Sequence, residues 1–150
     1  MLVGGIANIL HRDTIAVIVG TKTFERGERC FAQGRVVTVE ATRGELRGVV
    51  KPNETGRSPY RVHIWVREDG LAYECTCPVG SSLQFCKHTV AIALAHLERE
   101  RTESERRFSE LRGRLLAMSP SALVEKLLGL AREHGALFEI LRLVAGDHRQ

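Results

Sequence analysis

The sequence predicts an α+β fold in which a four-stranded antiparallel meander leads into helices. Three observations predict it. Residues 60–66 alternate, with Tyr60, Val62, Ile64 and Val66 on one face and Arg61, His63 and Trp65 on the other. Three further extended patterns lie close by, separated by short turn-forming stretches. Residues 89–97 are then apolar nearly all round, as in a helix buried on several sides.

The elements follow in order. Residues 6–19 hold Ile6, Ile9, Leu10, Ile15, Ala16, Val17, Ile18 and Val19, interrupted by Arg12-Asp13-Thr14. Asp13 or Thr14 can cap a short helix over 14–19, and the β-branched run suits a strand nearly as well. Gly20 punctuates, and a short helix fits 24–33, ended by Gly34. Residues 35–40 (Arg-Val-Val-Thr-Val-Glu) form a strand pattern, Thr42-Arg43-Gly44 turns the chain, and 45–50 is a second strand. Residues 51–59 contain Pro52, Asn53, Gly56 and Pro59, the composition of a loop. The alternating segment 60–66 is the third strand, Glu68-Asp69-Gly70 a hairpin turn, and 71–75 the fourth strand.

Downstream of the apolar helix, 99–114 is heavily charged, with Phe108, Leu111 and Leu115 at helical spacing. Its arginines alternate with Glu100, Glu103, Glu105 and Glu110, the pattern of a salt-bridged helix surface. Ser119-Pro120 reads as an N-cap with proline at the first helical position, and Gly135 as the stop of that helix. A last short helix carries Leu137, Ile140, Leu141 and Val144. The expected organisation is an N-terminal helical segment with the first strands over 1–61, a hairpin-to-helix module over 62–98, and a C-terminal helical cap over 99–150.

Composition narrows the function classes. At 150 residues the chain can bury a core without disulfides. No apolar run reaches eighteen residues, which argues against a membrane span. The apolar start lacks a preceding basic region and a small-residue cleavage site, so it reads as part of the fold, and a cytoplasmic protein is expected. The formal net charge is +4 and the pI about 9.1, a balance that permits nucleic acid as a partner without requiring it. By segment the charge is +2 over 1–50, neutral over 51–98, +2 over 99–114 and neutral over 115–150, so no segment is a basic tail.

The cysteines carry the chemistry. Three of the four lie within twelve residues, beside a histidine, in the pattern Cys75-x-Cys77-x8-Cys86-x-His88. In a reducing compartment such clustering reads as metal binding. Zinc takes four sulfur and nitrogen ligands at tetrahedral corners. Cys75 and Cys77 are two apart at a strand end and so share a face. Cys86 and His88 arrive where the apolar helix begins, and a helix N-terminus favours thiolate. Four ligands close the site, which makes the single Zn2+ structural, because a catalytic zinc keeps an open position. A Cys75–Cys77 disulfide under oxidation is the alternative, although the thioredoxin-type Cys-x-x-Cys spacing is absent.

At these residues the chain resembles the SWIM zinc-finger family, a small ββα module. Cys75-Thr76-Cys77-Pro78 resembles its Cys-Ser-Cys-Pro form, and Cys86-Lys87-His88 its Cys-Lys-His form, followed by an alanine-rich helix. Phe24-Glu25-Arg26-Gly27 and Gly34-Arg35-Val36 resemble the segment that precedes the finger in bacterial members. The resemblance is specific over about 62–98; Cys30 departs from it, standing where an aromatic residue is common. It implies DNA binding or protein–protein interaction, since the family occurs in helicase-like ATPases, Mutator-type transposases, recombination accessory factors and ubiquitin-linked signalling proteins.

Arg26, Arg29, Arg35, Arg43, Arg47, Arg57, Arg61 and Lys87 are the candidate nucleic-acid-binding residues, as a basic face beside the finger. Trp65 and Tyr60 either stack on bases or belong to the sheet's core or cover. His96 is expected to be a satisfied polar group inside the apolar helix. No Walker-type loop, His-Glu-x-x-His helix or Gly-x-Ser-x-Gly elbow occurs, so no enzyme activity and no small-molecule substrate are expected. The sequence therefore predicts a zinc-stabilised module that binds DNA as an accessory protein. The alternative is a protein-interaction adaptor, for instance for a separately encoded helicase-like ATPase.

Overall fold

The computed structural model describes residues 6, 10–68, 70–80 and 85–146. Most of the apolar start and Asp69 of the expected hairpin turn lie outside these residues. Among the described residues, five helices and one four-stranded sheet run in the order α1 (Arg12–Val19), α2 (Thr21–Ala32), β1 (Val36–Ala41), β2 (Glu45–Val50), β3 (Tyr60–Arg67), β4 (Gly70–Cys75), α3 (Lys87–Leu116), α4 (Pro120–Glu133) and α5 (Gly135–Val144). No helix among the described residues is long and apolar enough to cross a membrane.

The chain divides into two compact units, Met1–Glu103 and Ser104–Gln150, with the division inside α3. In the first unit the sheet is the expected meander, ordered β1-β2-β3-β4 with every neighbour antiparallel. Its alternation holds: Val62 and Ile64 are buried, Tyr60 and Val66 pack against the core, and Arg61 is exposed. On the other face a row crosses all four strands, pairing Glu40 with Arg47, Arg47 with His63 and His63 with Glu74.

Residues 12–19 resolve as helix. Gly20, at φ 74°, ends it and donates its backbone N–H to the Ala16 carbonyl. Arg12 reaches across to pair with Glu28 of α2 and lies over the Phe24 ring, 5.3 Å from its centroid. The helix expected over 89–97 and the charged stretch after it are a single 30-residue helix, α3, whose buried positions all lie within its first ten residues. Within this unit the elements that cover the apolar end are the sheet and α2, and glycines set both contacts. A Cβ on Gly48 of β2 would meet Ile92 Cδ1 at 2.3 Å, and one on Gly27 of α2 would meet Val90 Cγ1 at 2.3 Å. Helix α3 thus lies in van der Waals contact with β2 on one flank and α2 on the other.

His96 departs from expectation. It is 2% exposed, and its Nε2 has no hydrogen-bond partner. Burial holds its pKa below the ordinary histidine value, with Glu100 pulling it up and Arg99 down. The unfolded chain therefore binds the extra proton first as pH falls below about 6.5, and stability is lost in that direction until the folded imidazole also titrates. His96→Leu is expected to remove both the orphaned nitrogen, at a gain of about 1–3 kcal/mol, and this part of the acid dependence. Urea denaturation between pH 5.5 and 7.5 in excess zinc measures both; an unchanged slope with pH in the variant contradicts the assignment.

In the second unit, Ser119 Oγ accepts the Ala122 N–H at 3.3 Å and Pro120 opens α4, as the sequence predicts. The expected stop at Gly135 is shifted by one residue. His134, in extended conformation, separates the helices, and Gly135 is the first residue of α5. Gly146, at φ 80°, follows the last helix.

Candidate metal centre

Strand β4 ends at Cys75, but pairing runs one residue further. The Thr76 N–H donates to the Arg61 carbonyl, and the Arg61 N–H to Thr76 Oγ1. The chain bends at 76–77, and burial alternates there: Cys75 and Cys77 are inside and Thr76 is out. From the other side, the Cys86 carbonyl accepts the Val90 N–H, which places Cys86 at the start of α3 and His88 in its first turn. Hairpin end and helix start thereby converge.

Cys75, Cys77, Cys86 and His88 are 2–5% exposed, and their three sulfurs and one imidazole nitrogen all lie within 4.8 Å of one another. His88 Nδ1 is 3.9 Å from Cys75 Sγ and 3.8 Å from Cys86 Sγ. With metal–sulfur bonds near 2.3 Å and metal–nitrogen bonds near 2.0–2.1 Å, a tetrahedron has sulfur–nitrogen edges of about 3.6 Å. The donor set, the burial and the spacing fit one metal ion held by all four residues.

Neighbouring donors lie against two of the three sulfurs. Gly80 donates its N–H to Cys77 Sγ at 3.1 Å, and Thr89 Oγ1 lies 3.3 Å from Cys86 Sγ. The thiol of Cys75, hydrogen-bonded to Cys86 and buried, is held well above the ordinary range. The same hydrogen bond lowers Cys86 against the opposing effect of burial, with His88 and Thr89 adding to the lowering. A metal takes the ligands as thiolates, so binding releases thiol protons and its affinity rises with pH. Tyr60 closes the site from the start of β3, its ring centroid 4.5 Å from that of His88.

No family model matches the chain, and neither does any curated protein or solved structure. The site therefore stands on its geometry.

Sequence reasoning missed Gly80. A Cβ there would meet Cys75 Cβ at 2.4 Å and the Cys75 carbonyl oxygen at 2.7 Å, so the turn after Cys77 folds directly onto the first ligand. The only available signal was a glycine three residues past Cys77. Gly80→Ala is expected to push Cys75 off position and weaken metal binding about tenfold or more, the usual scale for outer-shell changes. Competition with a chromogenic chelator measures it; unchanged affinity would show that the turn yields instead.

Cys30 is buried but stands outside the four-residue cluster. The eight candidate basic residues separate into groups. Arg26, Arg29 and Lys87 line one small cavity, with Arg35 bonded to two of its other walls. Arg47 and Arg61 lie on the outer sheet face beside Glu40 and Glu74, and Arg47 pairs with Glu45 at 2.9 Å. Arg57 pairs with Glu54 in the loop, and Arg43 is exposed after β1. Trp65 is on the outer face, stacked on His63 with centroids 4.5 Å apart, and His63 sits between Glu45 and Glu74. Tyr60 is engaged with His88.

Proposed function

We propose that this chain is a zinc-stabilised binding module of the SWIM type, and that it binds nucleic acid as an accessory protein. The buried three-cysteine, one-histidine cluster between a hairpin end and a helix start carries the reading. The donor set is that of structural zinc, and four protein ligands leave no open position for catalysis. The zinc does no chemistry in this reading. It fixes the start of α3 against the hairpin, and Lys87, between two ligands, is held with it.

Charge placement supports nucleic acid over a neutral partner. Among the described residues no carboxylate lines the cavity of Arg26, Arg29 and Lys87. The outer sheet face is a weaker candidate despite Trp65, because Glu40 and Glu74 lie among its arginines. Fluorescence anisotropy of the zinc-loaded protein with single- and double-stranded oligonucleotides is expected to show affinity falling with salt. Three or four phosphate contacts give a log–log slope of about −2 to −4. Absent or salt-insensitive binding contradicts the nucleic-acid reading.

A second reading, a protein-interaction adaptor, is favoured by the second unit. Phe108, Leu116, Leu143 and Val144 are each more than 60% exposed there, an unusual density of bare apolar side chains. Affinity capture with the full chain, compared with a Phe108→Ser/Leu116→Ser variant, distinguishes a specific partner from non-specific adhesion.

A further inference from the structure

Helices α2 and α3 meet at Gly27, and beside that contact lies a cavity of about 250 Å³ lined by Arg26, Arg29, Cys30, Gln33, Asn53 and Lys87. Three of its six lining residues are cations and none is an anion. Arg35 stands behind two of the others, donating to Gln33 Oε1 at 2.8 Å and to Asn53 Oδ1. With both amide oxygens turned to Arg35, Gln33 and Asn53 each keep an NH2 group to donate. Cys30 adds no negative charge, because burial pushes its thiol up even against the pull of Lys87 and Arg35. The cavity is thus walled by donors: two guanidiniums, an ammonium and two amides.

We infer that this cavity is a binding site for a phosphate monoester, held by Arg26, Arg29 and Lys87 with Gln33 and Asn53. Charge and size select that group. Three cations in one small space match a dianion better than the single charge of a bridging phosphodiester, and guanidinium forks suit phosphate oxygens. A volume of about 250 Å³ is below the 300–1,000 Å³ usual for small-molecule sites, so it takes a phosphate head and leaves the attached group outside. The inference rests on the nucleic-acid reading only for where the phosphate comes from: an oligonucleotide 5′ end in that reading, a small phosphorylated molecule otherwise.

The test uses the full zinc-loaded chain with three probes: a 5′-phosphorylated single-stranded oligonucleotide, the same strand with a 5′-hydroxyl, and inorganic phosphate. The phosphorylated strand is expected to bind about tenfold or more tightly than its partner, and inorganic phosphate to compete that advantage away. Arg26→Gln and Arg29→Gln, both exposed and outside the metal ligands, are expected to abolish the difference at unchanged zinc content. Equal binding of the two strands, weakened equally in the variants, overturns the cavity's role and leaves the nucleic-acid reading standing. Neither strand binding, while inorganic phosphate binds the wild type and not Arg29→Gln by calorimetry, keeps the site and overturns nucleic acid as the source. Failure of all three probes overturns both.

Discussion

Replacing Cys77 with alanine is expected to strip the metal from the chain and to unfold the Met1–Glu103 unit. Cys77 is 2% exposed and supplies one of the four donor atoms gathered within 4.8 Å. Its loss leaves three ligands and opens the site to water. Structural zinc contributes on the order of 10–16 kcal/mol of apparent binding free energy in zinc-finger peptides, against a net stability of about 5–15 kcal/mol for a whole domain. The fold has little to substitute for it, because the ligands fasten the last strand to the helix that fills the core. Metal analysis should fall from one metal ion per chain to near zero, and cooperative thermal unfolding should disappear. A chelator should do the same to the wild type. Full zinc retention in Cys77→Ala would refute the ligand assignment, and a metal-free variant that keeps its melting temperature would refute the structural role.

The second large effect is expected at Gly27. In most helices a buried glycine-to-alanine change gains stability, and here the same change should lose it. The new Cβ would sit 2.4 Å from Val90 Cβ and 3.1 Å from the Lys87 carbonyl oxygen. Neither is the loose end of a side chain, so the two helices must separate. Overpacking of this kind costs about 1–3 kcal/mol, or roughly 4–8 °C per kcal/mol in a domain of this size. Gly113→Ala in α3 and Gly129→Ala in α4, where a Cβ meets nothing within 4 Å, are the controls and should gain up to about 1 kcal/mol. Urea denaturation of the three variants gives the sign of each. Zinc affinity should also drop in Gly27→Ala alone, because Val90 is two residues beyond His88. A stabilised Gly27→Ala would mean that α2 does not press on α3 as described.

These two sites differ in how plainly the sequence announces them. Cys75, Cys77, Cys86 and His88 are local: the period of a strand and the start of an apolar helix suffice to aim them at one point. The strands are equally local, and the alternation of Val62 and Ile64 with Arg61 and His63 survives intact. Where neighbouring residues favour different conformations, local sequence does not decide between them. Ile15, Val17, Ile18 and Val19 suit strand or helix by side-chain preference, and Gly20 at positive φ with its bond to Ala16 settles the matter. The charged run after Leu97 looks like a new element because its polarity changes, yet no residue there interrupts the backbone, so α3 simply continues. Gly27, Gly48 and Gly80 are opaque for another reason. A glycine chosen for close approach is explained by the atom it approaches, and for Gly27 and Gly48 that atom is more than forty residues away. The donor-lined cavity is likewise a product of tertiary packing, joining Arg26 and Arg29 to Lys87 across some sixty residues.

The four ligands span only fourteen residues, from Cys75 to His88. Closing so short a loop costs little chain entropy, so the metal can capture its ligands before the rest of the chain has organised. The captured segment already joins the end of the hairpin to the first turn of the long helix. Every strand pairing is between sequence neighbours, which keeps the sheet's own share of the contact order low, while the packing of the helix on α2 and β2 is long-range. A metal ion held there would be an early nucleus as well as a clasp, and to the extent that it binds the unfolded chain, raising its concentration should speed folding more than it raises the melting temperature.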